Sequence, residues 1–147
     1  MAPMIDVGIL FIGIFITMIP ALVLLKVHGT ELGIDQPWHM FWVCGLLSSC
    51  LDNTPTYLVF LQTAASLGAT EGIATTVGTV TPLMLEAISA GAVFMGANTY
   101  IGNAPNFMIK AIAEEDGIKM PGFFAYIAWA ILILYPVFII DTLLFYM

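Results

Sequence analysis

Basic side chains are almost absent from the sequence. Its 147 residues include three lysines, no arginine and ten acidic residues, which gives a formal net charge of −7. A protein that binds nucleic acid needs clustered positive charge to meet the phosphates, so nucleic acid is excluded as a partner. Cysteine is also scarce. Cys44 and Cys50 lie in an apolar stretch without a third cysteine, which indicates small hydrophobic side chains rather than a metal or redox site.

Apolar residues are what the sequence has in excess. Hydrophobic residues make up 61% of the chain and charged residues 9%, whereas soluble domains carry roughly 25% charged residues. A soluble chain of this length buries only about 60 to 70% of the surface of its unfolded state, which is too little to hide so much apolar surface. The composition therefore predicts a protein of the cell (inner) membrane that crosses the bilayer several times.

The predicted fold class is an all-α membrane protein with a single membrane domain over residues 1–147. Residues 5–26 are predicted as a transmembrane helix, because Val7 to Leu25 carries no charge and is about long enough to cross a ~30 Å hydrocarbon core. Residues 121–145 predict a further crossing, with Pro121 at its start. The polar stretch between the first crossing and residue 38 is expected to be a loop.

Residues 38–67 predict a re-entrant helical hairpin with its tip at 52–56, where the sequence reads DNTPT. Each apolar arm is too short to cross the bilayer comfortably, since about fourteen residues rise only ~21 Å as a helix. The alternative is one crossing that ends at Asp52 and another that begins there. At the tip, Thr54 is interpreted as the N-cap of the outbound arm and Pro55 as its first-turn proline.

Residues 81–115 predict a transmembrane helix that is broken at 96–106, where the sequence reads GANTYIGNAPN. Three asparagines and two glycines within these eleven residues do not make a continuous helix that faces lipid. Each unpaired backbone group in hydrocarbon costs several kcal/mol, so the break must be buried in protein or line a wet cavity.

The two polar breaks are the predicted binding site, because an interrupted helix exposes unpaired carbonyl and N–H groups at one depth. Their oxygen ligands suit a hard cation such as sodium, for which the candidates are Asp52, Asn53, Asn98 and Asn103. Asp52 could hold sodium, shuttle a proton or cap the hairpin tip. The alternative role for the asparagines and threonines is hydrogen bonding between neighbouring helices.

Several other residues are interpreted as structural. Lys110 and Glu114, four residues apart, predict an ion pair on one helix face. Tyr126 is interpreted as an aromatic residue of the membrane interface or of the packing between helices. Catalysis is not expected, because a serine nucleophile at Ser48 or Ser49 would need a base and neither histidine lies on a plausible partner helix.

Two stretches of the sequence, SSCLDNTPTYLVFLQTA and ISAGAVFMGANTYIGNAPNFMIKAIAEEDGIKMPGFFAY, resemble the sodium:proton antiporter-like members of the citrate-transporter-like family. That family belongs to a wider ion transporter superfamily, together with arsenite pumps and sodium–dicarboxylate carriers. The resemblance implies the second half of an inverted-repeat transporter, in which a hairpin and a broken helix surround the ion and substrate. The residues that it places at this site are Ser49, Asp52, Asn53, Thr54, Thr56, Asn98, Thr99, Gly102, Asn103, Pro105 and Asn106.

The function implied by the resemblance is secondary active transport, with sodium:proton antiport as the first expectation. Sodium and the proton are then transported or coupling ions, and no cofactor is expected. A carrier of citrate or another organic anion is the alternative within the class, although no basic residue lies at either break. Because family members are much longer, a truncated fragment or a non-transporting membrane subunit is the alternative outside it. The expected partners are the lipid bilayer, the missing N-terminal repeat on the same full-length chain or a separate subunit, and a second copy in a homodimer.

Overall fold

The computed structural model describes residues 12–13, 16–20, 23–24 and 27–147, and this part is mostly helical. The crossing predicted at 5–26 lies largely outside the described residues. In chain order the elements are a 3-10 turn Gly29–Leu32, α1 Pro37–Ser48, α2 Asn53–Ser66, β1 Ile73–Ala74, β2 Thr79–Val80, α3 Pro82–Phe94, a 3-10 turn Met95–Asn98, α4 Ala104–Glu115, α5 Phe123–Asp141 and a π-helical turn Thr142–Tyr146.

Proline and aspartate mark where the helices begin. Pro37 and Pro82 are the first residues of α1 and α3, where the missing proline N–H costs no helical hydrogen bond. In α2 the N-cap is Asp52, whose side chain accepts a hydrogen bond from the N–H of Asn53 at 2.8 Å. The prediction of Thr54 as the N-cap is therefore wrong, because the aspartate two residues earlier already ends the turn and starts the helix.

A short antiparallel ribbon joins α2 to α3, with Ile73 opposite Val80. Its turn is closed by Thr75, whose backbone N–H and hydroxyl group both donate to the Gly78 carbonyl, at 2.9 and 2.6 Å. Gly78 has a φ of 150°, which side chains rarely allow. The sequence predicted no strands in this connector, so the all-α class holds only in the coarser sense of a mostly helical protein.

Helices α1 and α3 pack closely and run parallel, since Ser48 hydrogen bonds to Ala92 and Ser49 to Met95. A Cβ atom at Gly91 would lie 2.4 Å from the Phe41 carbonyl oxygen, so glycine is needed for this approach of two backbones. α2 packs on α3 and completes a core whose buried side chains include Met40, Phe41, Cys44, Phe60, Leu61, Ala64, Met84, Ala87, Ile88 and Met95.

Within the described residues, one helix is long and apolar enough to cross a membrane. It comprises α5 and the π-helical turn, Phe123–Tyr146, with 24 residues, and its most apolar stretch of 18 residues has a mean hydropathy of 2.4. A helix of that length rises about 36 Å, enough for a ~30 Å hydrocarbon core. Its Phe124 and Leu132 are 83% and 68% exposed, as lipid-facing side chains would be. The hairpin and the broken helix as membrane elements stay predictions.

Candidate cation site where two helix breaks meet

The hairpin tip and the gap between α3 and α4 lie against each other. α1 ends at Ser48 and α2 begins at Asn53, while α3 ends at Phe94 and α4 begins at Ala104. After the 3-10 turn Met95–Asn98, Thr99 is extended, with φ −137° and ψ 163°. We call the seven residues that hydrogen bond within or across these gaps the polar junction: Ser48, Ser49, Asn53, Asn98, Thr99, Gly102 and Asn106.

Two buried serines at the end of α1 bind carbonyl groups near the end of α3. Ser48 Oγ donates to the Ala92 carbonyl at 2.6 Å. Ser49 Oγ lies 2.9 Å from the Met95 carbonyl oxygen and 3.0 Å from that of Gly45. A hydroxyl group has one hydrogen, so Ser49 donates to one of these two oxygens at a time and accepts other bonds through its lone pairs.

Asn53, the first residue of α2, joins the hairpin tip to both sides of the helix break. Its amide nitrogen lies 2.9 Å from the Ala92 carbonyl oxygen and 3.2 Å from that of Gly102, and it also lies 2.9 Å from Ser48 Oγ. The opposite amide orientation would set the Asn53 oxygen against two carbonyl oxygens, which repel it. Asn53 therefore directs its amide nitrogen at these oxygens, and its role as an oxygen ligand for sodium stays a prediction.

On the other side of the junction, Thr99 and Asn106 hold the extended segment. Thr99 Oγ1 donates to the Ser49 carbonyl and accepts the N–H of Gly102 at 2.9 Å. The side-chain amide of Asn106, in the first turn of α4, donates to the carbonyls of Gly96 at 3.0 Å and Thr99 at 3.2 Å. Side chains thus bind the carbonyl groups of Ala92, Gly96 and Thr99 near the end of α3, as a break in an apolar environment requires of its backbone groups.

One buried side-chain oxygen of the junction has no partner among the described residues. Asn98 is 4% exposed, and its amide nitrogen donates to Ser49 Oγ at 2.9 Å. Among the described residues, three buried side-chain atoms lack a hydrogen-bond partner, and of these only Asn98 Oδ1 belongs to the junction. A buried acceptor left unpaired costs about 1–3 kcal/mol, so this oxygen marks a position where a cation or a donor is favoured.

Close backbone contact holds the two breaks together. A Cβ atom at Gly102 would lie 2.7 Å from the Gly96 carbonyl oxygen and 2.9 Å from those of Ser48 and Ser49. Gly96 is equally crowded, since its Cβ would lie 2.4 Å from the end of the Asn53 side chain. Neither glycine has a positive φ, so the requirement is for space alone.

The remaining hairpin candidates lie beside the junction. Asp52 is half-buried, and it lines a cavity of about 350 Å³ together with Thr56, Leu47 and Pro55. The hydroxyl group of Thr56 donates to the Asp52 carbonyl at 3.0 Å and so stays within the first turn of α2. The exposed Thr54 lines a different cavity, of about 340 Å³, with Asn53, Tyr57, Ser89, Ala92 and Val93.

The candidates at the start of α4 have mainly backbone roles. Asn103 is the N-cap of α4 but makes no side-chain cap hydrogen bond, and its carbonyl accepts the N–H of Asn106 at 3.0 Å. Pro105 is the second residue of the helix and is exposed. The ion pair predicted between Lys110 and Glu114 is present further along α4, at 2.8 Å.

Two residues outside the predicted set contribute to this region. Ser48 binds Ala92 as described, and only its position one turn before the tip could have indicated it. Tyr126, predicted as an interfacial or packing aromatic, also donates a hydrogen bond to the Ala97 carbonyl at 3.0 Å. No local pattern in the sequence marks that contact, because the two residues are 29 positions apart.

The junction gathers uncharged oxygen and amide groups where helices end, beside a helix with an exposed apolar surface. This arrangement is typical of a membrane transporter. Over residues 1–146 the sequence matches the family described as "Putative citrate transport", and the chain belongs to that family. This confirms the resemblance to the citrate-transporter-like family and indicates a membrane transporter rather than an enzyme. No curated protein and no solved structure matches the chain.

Proposed function

We propose that the chain is part of a secondary active transporter and that its polar junction binds the coupling cation, which is sodium. The observation that carries the proposal is the unpartnered, buried Oδ1 of Asn98. Sodium is a hard cation that favours oxygen ligands, and an amide oxygen in a buried site of this kind is such a ligand.

The use of the other polar groups supports a cation over an anion in the junction. An anion needs free donors, but the amide nitrogens of Asn53, Asn98 and Asn106 each already donate to oxygens of the protein. The Thr99 hydroxyl group donates as well, to the Ser49 carbonyl. The group that the junction offers to a ligand is therefore a hydrogen-bond acceptor. A ligand bound there has to be a cation or a hydrogen-bond donor.

For the transported species, the first candidate is the proton, exchanged for sodium. Asp52 is the carboxylate next to the junction, and it is half-buried at the N-cap of α2. A carboxylate can bind either a proton or a sodium ion, and competition between the two at one group is what an exchanger needs.

A carboxylate such as citrate is the second candidate, because it is the solute that the family description names. The first turn of α4 supports it, since its N-cap Asn103 provides no side-chain cap and a helix N-terminus favours an anion. The 340 Å³ cavity at Thr54 and Ser89 has the volume of a small-molecule site. For either transported species, the family resemblance implies a first repeat that completes the site. That repeat would lie in the same chain or in a separate subunit.

Sodium binding is tested with the complete transporter purified in detergent, by following its melting temperature during titration with sodium chloride. Choline chloride at the same ionic strength is the control salt, and Gln36→Ala, which removes an exposed amide from the N-cap of α1, is the control variant. Asn98→Ala is expected to abolish the stabilisation that is specific to sodium, while Gln36→Ala keeps it. Equal sodium stabilisation of wild type and Asn98→Ala would refute the cation site.

The transported species is then identified in proteoliposomes of the complete transporter. An imposed sodium gradient should drive proton movement, seen with an internal pH dye, if the protein is an antiporter. It should drive uptake of radiolabelled citrate if the protein is a carboxylate carrier. Citrate uptake without proton exchange would decide for the second candidate.

A further inference from the structure

Two stacked tyrosines connect the break after α3 to the beginning of α5. Tyr126 Oη donates to the Ala97 carbonyl at 3.0 Å, and Tyr100 Oη donates to the Pro121 carbonyl at 3.1 Å. Each hydroxyl group thus bonds to the segment that carries the other tyrosine. The two rings are stacked, with 4.1 Å between their centroids and 28° between their planes. We call this pair the tyrosine latch.

The latch acts on the residue next to the unpartnered oxygen. Ala97 lies in the 3-10 turn directly before Asn98, so the orientation of its carbonyl group sets the peptide plane from which the Asn98 side chain projects. The neighbouring carbonyls of Met95, Gly96 and Thr99 are held by side chains of the polar junction itself. The Ala97 carbonyl is held instead from α5, outside the junction.

A third element stabilises the latch. Lys110 of α4 lies 5.5 Å from the centre of the Tyr100 ring, and it is paired with Glu114. Tyr100 itself is 4% exposed. The break, α4 and the start of α5 are therefore tied together at two aromatic rings, and a shift of α5 relative to the break has to move Ala97.

We propose that Tyr126 is a positioning residue for cation binding, which acts through the Ala97 carbonyl to aim Asn98 Oδ1 at the cation. The inference rests on the proposed sodium site. A tyrosine that only filled space would not need its hydroxyl group, since phenylalanine has nearly the same shape. The bond to Ala97 gives the hydroxyl group a separate role, because without it that carbonyl is free to rotate.

The test compares Tyr126→Phe with Tyr135→Phe, a matched change in the same helix at a tyrosine that packs on Trp42 and Phe138 rather than on the break. For each variant, the sodium-free melting temperature and the sodium concentration for half-maximal stabilisation are measured. Tyr126→Phe is expected to raise that concentration about ten-fold, the effect of losing one hydrogen bond that orders a ligand. Tyr135→Phe should leave it unchanged.

The outcomes separate the latch from the sodium site. If Asn98→Ala abolishes sodium stabilisation and Tyr126→Phe leaves the half-maximal concentration at the wild-type value, the latch is wrong and the site stands. If Tyr126→Phe lowers the sodium-free melting temperature but keeps the wild-type half-maximal sodium concentration, Tyr126 has only a structural role and the latch is again wrong. If Tyr126→Phe cannot be purified, Tyr100→Phe decides: a weaker sodium response supports the latch and a wild-type response overturns it. If Asn98→Ala has no effect either, the sodium site itself fails.

Discussion

Gly102 is the position where a single added methyl group should separate the two breaks. In Gly102→Ala the new Cβ would lie 2.7 Å from the Gly96 carbonyl oxygen and 2.9 Å from the carbonyl oxygens of Ser48 and Ser49. Ordinary contacts between carbon and its neighbours are about 3.5 Å or longer. All three neighbours are backbone atoms, so no side chain can rotate away to make room.

The size of the effect follows from what has to move. Overpacking of a well-packed interior costs about 1–3 kcal/mol, and rigid backbone neighbours put Gly102→Ala at the upper end, near ~3 kcal/mol. A displacement of Gly96 would also lengthen the hydrogen bond that its carbonyl accepts from the Asn106 amide. A displacement of residue 102 would lengthen the hydrogen bond between its carbonyl and the Asn53 amide nitrogen. For a chain of this size, 1 kcal/mol corresponds to about 2–4 °C in melting temperature, so a decrease of roughly 6–12 °C is expected.

The assay is thermal unfolding of the detergent-purified protein, followed by intrinsic tryptophan fluorescence. Gly13→Ala is the matched control, because a Cβ atom there meets none of the described residues within 4 Å. Alanine is also the better helix former, so the control should be neutral or slightly more stable. A Gly102→Ala protein that melts within 2 °C of wild type would show that the breaks are not in backbone contact, and the polar junction would have to be abandoned.

Three further predictions concern the hairpin and the whole chain. Ser49→Ala should lower the free energy of unfolding by about 2–5 kcal/mol, because it removes the hydrogen-bond partner of the Met95 carbonyl and of the Asn98 amide. Chemical denaturation measures this loss, and a value below about 1 kcal/mol would contradict these bonds. Asp52→Asn should keep stability, since asparagine caps a helix as well as aspartate, but it should abolish sodium-driven proton flux in everted vesicles. Unchanged flux would remove Asp52 from the exchange. The chain reconstituted alone should not move protons in response to a sodium gradient, and a sodium-driven pH change in such liposomes would oppose this.

The positions of the helix breaks follow from local chemistry, and the sequence therefore indicates them closely. The gaps between helices are 49–52 and 95–103, displaced by a few residues from the predicted 52–56 and 96–106. Proline cannot continue a helix from within, and asparagine and glycine favour non-helical backbone, so such clusters mark a break. The start of α2 was misplaced because Asp52 and Thr54 are both acceptable N-caps, and which of them caps depends on the tertiary fold.

The contacts across the junction could not be predicted, because they join residues far apart in the chain. Which serine meets which carbonyl depends on the register of α1 against α3, and that register is set by close contacts such as Gly91 against Phe41. The amide direction of Asn53 depends on two distant carbonyls, that of Ala92 in α3 and that of Gly102 in the gap before α4. The sequence therefore supplied a set of oxygen candidates, and only the structure shows that the Asn53 nitrogen faces two carbonyl oxygens while the buried Asn98 Oδ1 has no partner.

The use of donors in the junction also supports the proposal that the cation site is completed by a second repeat. A break buried among apolar helices can be stabilised by water or by side-chain donors, and here the carbonyls of Ala92, Gly96 and Thr99 are bound by side chains. That arrangement disfavours an anion, and Asn98 Oδ1 is the one buried side-chain oxygen of the junction that lacks a partner among the described residues. A hard cation requires several oxygen ligands to replace its hydration shell. The additional oxygens therefore have to come from outside the junction, and the inverted first repeat implied by the family resemblance is the element we expect to provide them.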